Sequence, residues 1–335
     1  MRVLSFRNAL GAAILSLGLG LGIMLLFSNK PMLLLQAFVT LPFTQALFFG
    51  NMVEKAGLIL LCAIGFSIAF RSGAFNLGGE GQFAVGALSA TVFALAYPSL
   101  PFPSGIIAGG FVGLLSAGIL GMIIAFLKFK VQISEVISSF LLSLAVLPLI
   151  DFAVSGPLRD GASNLLSTNT IAPSFFLPHI LSPSNLSFGV FGSVAVAILT
   201  WIVLRHSQFG YDNRLIASNL EFAKTQGVPI GRRMFLTMGL SAGFQGLAGA
   251  TAVFGTYHST FTGISGGIGW SGIAAALLAK THPIAAIFGS LALAYIDTGT
   301  KAAMVYNDLN LEMSGIMQGV FFLFITAKTF GRRNG

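Results

Sequence analysis

Charge is what this sequence lacks. Lys, Arg, Asp and Glu make up 8% of its 335 residues, against 55% hydrophobic ones. A soluble domain carries about 25% charged residues. The chain cannot cover itself with a water-facing surface, and a polytopic membrane protein is expected. Cysteine occurs once, as Cys62 in an apolar run. No intrachain disulfide can form, and cysteine usage says nothing of the redox compartment. No Gly-x-x-x-x-Gly-Lys-Ser/Thr run is present, so the chain binds no ATP through a P-loop. His179, His206, His258 and His282 show no metal-ligand spacing, and no nucleophile–base constellation stands out. The expectation is therefore a chain that is not an enzyme, with no catalytic residue, no metal and no cofactor of its own. A net charge of +8 would suit nucleic acid only if the basic residues clustered. They fall between apolar segments and form no patch.

What the chain has in abundance is apolar length. Windows near the ~20 residues needed to cross a bilayer fall at about 9–28, 52–71, 81–97, 104–127, 131–153, 187–204, 234–256, 266–280, 283–301 and 312–329. An all-α protein of about ten transmembrane helices is expected, as one transmembrane domain over 1–335. The first window follows Arg2 and Arg7 without a convincing small-x-small cleavage site, so it reads as an uncleaved span. Residues 31–51 carry Pro31, Gln36, Pro42, Gln45 and Asn51, and are expected to lie at the interface or re-enter. With ten spans and both termini inside, the cytoplasmic side holds Arg2, Arg7, Arg71, Lys128, Lys130, Arg205, Arg214, Lys224, Arg232, Arg233, Lys280, Lys328, Arg332 and Arg333. The outside holds Lys30, Lys55, Arg159 and Lys301. That is 14 against 4, in accord with the positive-inside rule. Two connections are long: 154–186 outside, rich in Pro, Ser and Asn, and 205–233 inside, the most polar stretch in the chain.

Two apolar regions are interrupted. Residues 73–83 read Gly-Ala-Phe-Asn-Leu-Gly-Gly-Glu-Gly-Gln-Phe. A mid-membrane carboxylate costs roughly 2.5–3.5 kcal/mol, and broken backbone survives only inside protein or along a wet path. Glu80 can contact a solute, or it can cap backbone N–H groups freed by the break; the capping role is favoured. Asn76 and Gln82 can do the same work. Phe75 and Phe83 can stack on a planar ligand, although among 32 phenylalanines a core or lipid-facing role is the stronger reading. The second interruption holds glycines 263, 266, 267, 269 and 272 around Trp270. Gly267-x-Gly269-x-x-Gly272 matches the dinucleotide pattern but lacks the strand and βαβ unit that pattern needs. Glycines serving close helix packing are the alternative to a true break. Paired breaks in the two halves point to an internal repeat with a pathway between the repeats, lined by Phe75, Asn76, Glu80, Gln82, Gly267, Gly269 and Trp270. Asp297 and Lys301 form an i,i+4 pair, and Glu135 stands near Lys128 and Lys130.

In the cytoplasmic stretch, Asn219 can cap a short helix with Glu221 early, where the helix dipole favours an anion. Gly227 and Pro229 end it. Such a helix suits docking into a partner's groove, and a solvated loop anchoring the spans by its charge fits equally well.

This stretch resembles the coupling loop of ABC-importer permeases, whose pattern is Glu-Ala-Ala followed three residues later by Gly. Glu221, Phe222, Ala223 and Gly227 occupy those places; Phe222 and the one-residue-longer spacing depart from the pattern. The chain is similar to permeases of the branched-chain amino acid/simple-sugar superfamily, in the nucleoside-type (basic membrane protein-associated) branch. Phe75-Asn76-Leu77-Gly78-Gly79-Glu80-Gly81-Gln82 matches a run typical of that branch. So do Glu135-Val136-Ile137, Gly156-Pro157-Leu158-Arg159-Asp160 and Gly267-Ile268-Gly269-Trp270-Ser271-Gly272-Ile273-Ala274. The resemblance implies a permease in the bacterial cytoplasmic membrane that moves nucleosides, purine nucleosides first, with riboflavin or a simple sugar as the alternative. It implies ABC ATPase subunits carrying ATP and Mg, a second permease subunit, homologous or identical, and a substrate-binding lipoprotein. It also implies that Glu221, Phe222, Ala223, Gly227, Arg232 and Arg233 face the ATPase. A secondary transporter would need a proton or ion relay at mid-membrane, for which only Glu80 is a candidate.

Overall fold

The structure, a computed structural model, describes residues 18–22, 24–26, 28–305, 315, 316 and 319. The expected first span is thus described only from residue 18, and the last, 312–329, lies outside the described residues except at three positions. Both termini, with Arg332 and Arg333, lie outside them too.

Eleven helices can be labelled within this range: α1 (Pro31–Thr44), α2 (Ala46–Arg71), α3 (Gly79–Ala96), α4 (Ser104–Lys130), α5 (Glu135–Ser155), α6 (Gly189–His206), α7 (Gln208–Ser218), α8 (Leu220–Thr225), α9 (Ile230–Ala252), α10 (Ile268–Leu278) and α11 (Pro283–Val305). A π-helical turn, Val253–Tyr257, prolongs α9. Five of them, α2, α4, α5, α6 and α11, are long and apolar enough to cross a membrane.

Burial sorts these five into layers. In the apolar window of α2, 83% of residues are buried, against 22% in α5 and in α6. α2 is therefore the central post, and α5 and α6 form an apolar rim that exposes Leu141, Leu149, Phe152, Phe191 and Leu199. α2 packs against α9, α11, α10 and α6, and α9 lies across α4 and α3. Where α3, α4 and α9 cross, Gly86, Gly113 and Gly246 meet backbone to backbone; a Cβ at Gly86 would overlap the Gly246 carbonyl. Lipid tails give helices no hydrophobic reason to associate, so small residues that permit close van der Waals contact take that role.

Two expectations need correction. Residues 31–51 divide at Gln45, whose extended backbone (φ −107°, ψ 124°) separates α1 from an α2 that begins six residues before the expected span. The window at 266–280 yields only the 11 residues of α10, roughly 16 Å at 1.5 Å per residue, half the ~30 Å apolar thickness of a bilayer. Gly267 in the left-handed region starts it late, and Lys280 and Thr281, also at positive φ, end it. Lys55, counted on the outer side at the edge of the 52–71 window, is the tenth residue of α2.

The connection 156–188 folds back on the molecule. It holds a 3-10 turn, Pro173–Phe175, and a short antiparallel pair, β1 (His179–Leu181) and β2 (Leu186–Ser187). Its backbone bonds to the segment after the π turn: Thr168 N–H donates to the Thr260 carbonyl and Ile171 N–H to that of His258.

Candidate functional site

The two sequence breaks meet in space. After α2 the chain turns through Ser72 and Gly73 (φ +77°) and runs without helical bonds to α3. Asn76, fully buried, organises this loop. Its Oδ1 accepts from Gly78 N–H (3.0 Å) and Gln82 Nε2 (2.9 Å), and its Nδ2 donates to Gln82 Oε1 (2.9 Å) and Ser241 Oγ (3.0 Å). The serines of α5 hold the other side, Ser139 Oγ accepting from Leu77 N–H and Ser143 Oγ from Gly81 N–H. In this conformation the Asn76 and Gln82 amides bond to each other and to their surroundings. Phe75 packs edge-on against Phe66 and Phe70, and Phe83 is fully buried.

Glu80, in the first turn of α3, reaches the other break. Its Oε2 accepts from Gly267 N–H at 3.2 Å and its Oε1 from Trp270 N–H at 2.9 Å. Gly267 (φ +82°) is the N-cap of α10 and has no side-chain cap of its own. The carboxylate therefore satisfies donors that the first turn of a helix leaves open and sits at its positive end. Contact here is backbone on backbone: a Cβ on Gly269 would lie 2.5 Å from the Gly79 carbonyl carbon. Trp270 rests edge-on against Phe140 of α5. Beside the junction, Gln245 of α9 is buried with neither its Oε1 nor its Nε2 hydrogen-bonded, and its oxygen crowds the space a Gly79 side chain would need.

The polar stretch after α6 forms α7 and α8. Asn219 Oδ1 accepts from Phe222 N–H at 3.0 Å, capping α8, and Gly227 (φ +74°) ends it. Glu221 is exposed and pairs with Lys224 at 2.7 Å; Phe222 is exposed, and Ala223 is buried beneath. Arg232 is exposed. Arg233 faces inward, where it pairs with buried Asp212 at 2.6 Å and lies over the Phe209 ring. Arg214 donates to the Leu204 carbonyl, tying α7 to the end of α6. Between this unit and the first break lies a cavity of about 630 Å³ lined by Gly73, Lys128, Ala217, Leu220 and Lys224, among others. At its edge a Cβ on Gly73 would touch Ala217 Cα at 3.3 Å. Glu135, first in α5, pairs with Lys128 at 2.5 Å.

Sequence reasoning found the Asp297–Lys301 pair of a second polar cluster and passed over Lys55 and Glu54 beside it. Lys55 pairs with Asp297 at 2.6 Å, and Lys301 reaches the same carboxylate at 3.1 Å. Next to it, Glu54 is buried and accepts from Ser187 N–H (2.8 Å) and Ser187 Oγ (3.0 Å). A Glu-Lys pair at the edge of an apolar window is the signal that marks it.

Comparison with known proteins returns one family. Residues 48–326 match the family described as "Branched-chain amino acid transport system / permease component". The probable riboflavin import permease protein of Treponema pallidum (strain Nichols) is 30% identical over 95% of this chain and 83% of its own length. The guanosine ABC transporter permease protein of Bacillus subtilis (strain 168) is 25% identical over 85% of this chain and 82% of its own. A nucleoside ABC transporter permease protein of Lactococcus lactis subsp. cremoris (strain MG1363) is 25% identical over 92% and 87%. No solved structure matches the chain.

Proposed function

Since the chain belongs to the family of branched-chain amino acid transport system permease components, and is thus a membrane permease of an ABC importer, we propose that it carries nucleosides, purine nucleosides first, across the cytoplasmic membrane. What carries the nucleoside reading is the likeness to permeases named for guanosine and nucleosides; the contact between the two breaks, Glu80 on Gly267 and Trp270, supports only the position of the path. Riboflavin is the second reading, favoured by the 30% identity to a riboflavin import permease; a simple sugar is the third.

In this proposal ten spans, with both termini cytoplasmic, form one domain over 1–335. The halves repeat one another, 154–186 faces outward and 205–233 inward. Phe75, Asn76, Glu80, Gln82, Gly267, Gly269 and Trp270 shape the path, and Glu80 acts as a clasp between its halves. ATP with Mg is hydrolysed on separate ATPase subunits, a second permease subunit completes the membrane part, and a binding lipoprotein delivers the solute. Glu221, Phe222, Ala223, Gly227 and Arg232 present α8 to the ATPase, while Arg233 fixes the base of the loop. Movement of α8 passes through α7 to Ala217, which leaves no free space for a side chain at Gly73, and so to the first break. The cavity below the loop leaves room for that movement.

The test is uptake in cells or proteoliposomes by the assembled transporter with Glu221→Ala or Gly227→Ala. Both variants should insert normally. Glu221 contributes only an exposed pair worth under ~1 kcal/mol, and Ala at the Gly227 φ costs about 1–2 kcal/mol. Uptake should fall at least tenfold. Undiminished uptake by both would refute the coupling assignment.

A further inference from the structure

The cluster around Glu54, Lys55, Asp297 and Lys301 borders a cavity of about 230 Å³. Its position gives it meaning. One wall is the π-helical turn, which brings Thr256 and Tyr257 to the cavity; such turns are rare and concentrate at functional sites. Ile268, the first residue of α10, also lines it, and Ile268 directly follows the Gly267 whose N–H Glu80 holds. The cavity therefore adjoins the second break.

Its chemistry narrows the ligand. The four charged groups sum to zero, and each carboxylate is already answered within the protein: Glu54 by Ser187, Asp297 by two lysines. An ion entering would have to break one of these pairs in a setting where an unpaired charge is costly. A neutral hydroxyl-bearing group faces no such barrier and can give and take hydrogen bonds along the same wall. Two residues of that wall can meet it. Thr256 lines the cavity, and its Oγ1, covered in this conformation, has no hydrogen-bond partner within the protein and needs a side-chain rotation to reach a solute. Asn51 uses its Oδ1 on the Asn185 N–H at 2.9 Å, which leaves its amide hydrogens for a solute. The volume falls below the roughly 300 Å³ at which ligand pockets begin, enough for one arm of a solute rather than a ring system with its substituent.

We infer that this cavity is a station on the transport path that receives the polyhydroxylated arm of a neutral solute, ribosyl, ribityl or hexose, through Asn51 and Thr256. The inference rests on the permease reading above. The test uses the complete transporter, with ATPases and binding protein, in proteoliposomes supplied with labelled guanosine, riboflavin and glucose in turn. For the solute that wild type carries, Thr256→Val and Asn51→Leu should each lower uptake about tenfold, the effect of losing one ~1.4 kcal/mol interaction. Solute affinity of the binding protein and basal ATPase activity should stay unchanged, and Thr256→Ser should restore uptake. Wild-type uptake with both variants undiminished overturns the inference alone, and so does a loss that Thr256→Ser fails to reverse. A wild-type transporter that carries none of the three solutes with ATP overturns the permease reading and the inference with it.

Discussion

Glu80 and Gly267 are 187 positions apart in the chain and joined by a 3.2 Å hydrogen bond from the Gly267 N–H to the Glu80 carboxylate. The bond turns two local weaknesses into one joint: α10 has no cap of its own, and Glu80 has no cation to pair with among the salt bridges of the described residues.

Removing the carboxylate should therefore cost fold as well as function. Glu80→Ala leaves the Gly267 and Trp270 N–H groups without their acceptor, at about 1–3 kcal/mol for each buried donor. Glu80→Gln keeps one acceptor oxygen and should lose about half as much. Thermal unfolding of the detergent-solubilised protein should rank wild type above Gln and Gln above Ala. A Glu80→Ala protein as stable as wild type would show that the clasp does not hold the breaks together.

Glycine at the junction answers a separate requirement. A Cβ at Gly269 meets the Gly79 backbone at 2.5 Å, and backbone cannot swing aside as a flexible side chain can. Gly269→Ala should destabilise by about 1–3 kcal/mol, the usual cost of overpacking. Gly231, in the first turn of α9, has nothing within 4 Å of its Cβ position. Gly231→Ala should be neutral or stabilise by up to about 1 kcal/mol. Equal melting temperatures for the two variants would contradict the close approach.

Arg233 and Lys224 look alike in sequence as cations of one loop, yet their predicted consequences differ. The Arg233–Asp212 pair is mostly buried, with side-chain exposures of 17% and 5%, while the Lys224–Glu221 pair is exposed at 54% and 78%. Asp212→Ala strands a buried guanidinium and should cost about 3–5 kcal/mol; Lys224→Ala should cost well under 1 kcal/mol. Urea or thermal denaturation of the two variants measures the gap. Comparable losses would mean that Arg233 is not buried in the membrane-inserted protein.

The parts that local chemistry governs were readable from the sequence. The cap at Asn219 and the stop at Gly227 depend on residues within one turn, and the break at Phe75–Gln82 declares itself because Asn, Gln and Glu are costly in an apolar run. What could not be read depends on distant partners. That Glu80 caps α10, that Gln82 and Asn76 bond to each other, and that Glu54 faces Ser187 133 positions away leaves no periodicity behind. Lys55 lies within the 52–71 window, but its match to Asp297 on another helix is equally invisible to a hydropathy window. The short α10 escaped because apolar composition measures affinity for the bilayer, and backbone angles at Gly267 and Lys280 set its length.

Gln245 gives the sharpest separation of stability from transport. Its amide is buried at the meeting point of the breaks with all its hydrogen-bonding groups unmet, a condition that costs about 1–3 kcal/mol and that native structures rarely retain without reason. An importer alternates between two conformations, and a side chain unsatisfied in one can be satisfied in the other or by the passing solute. Gln245→Met, similar in shape and without the amide, removes the penalty here and the partner there. The variant should melt several degrees higher than wild type and transport at least tenfold more slowly. Higher stability with undiminished uptake would make Gln245 a tolerated defect, and lower stability would mean that the amide has a partner in this conformation after all.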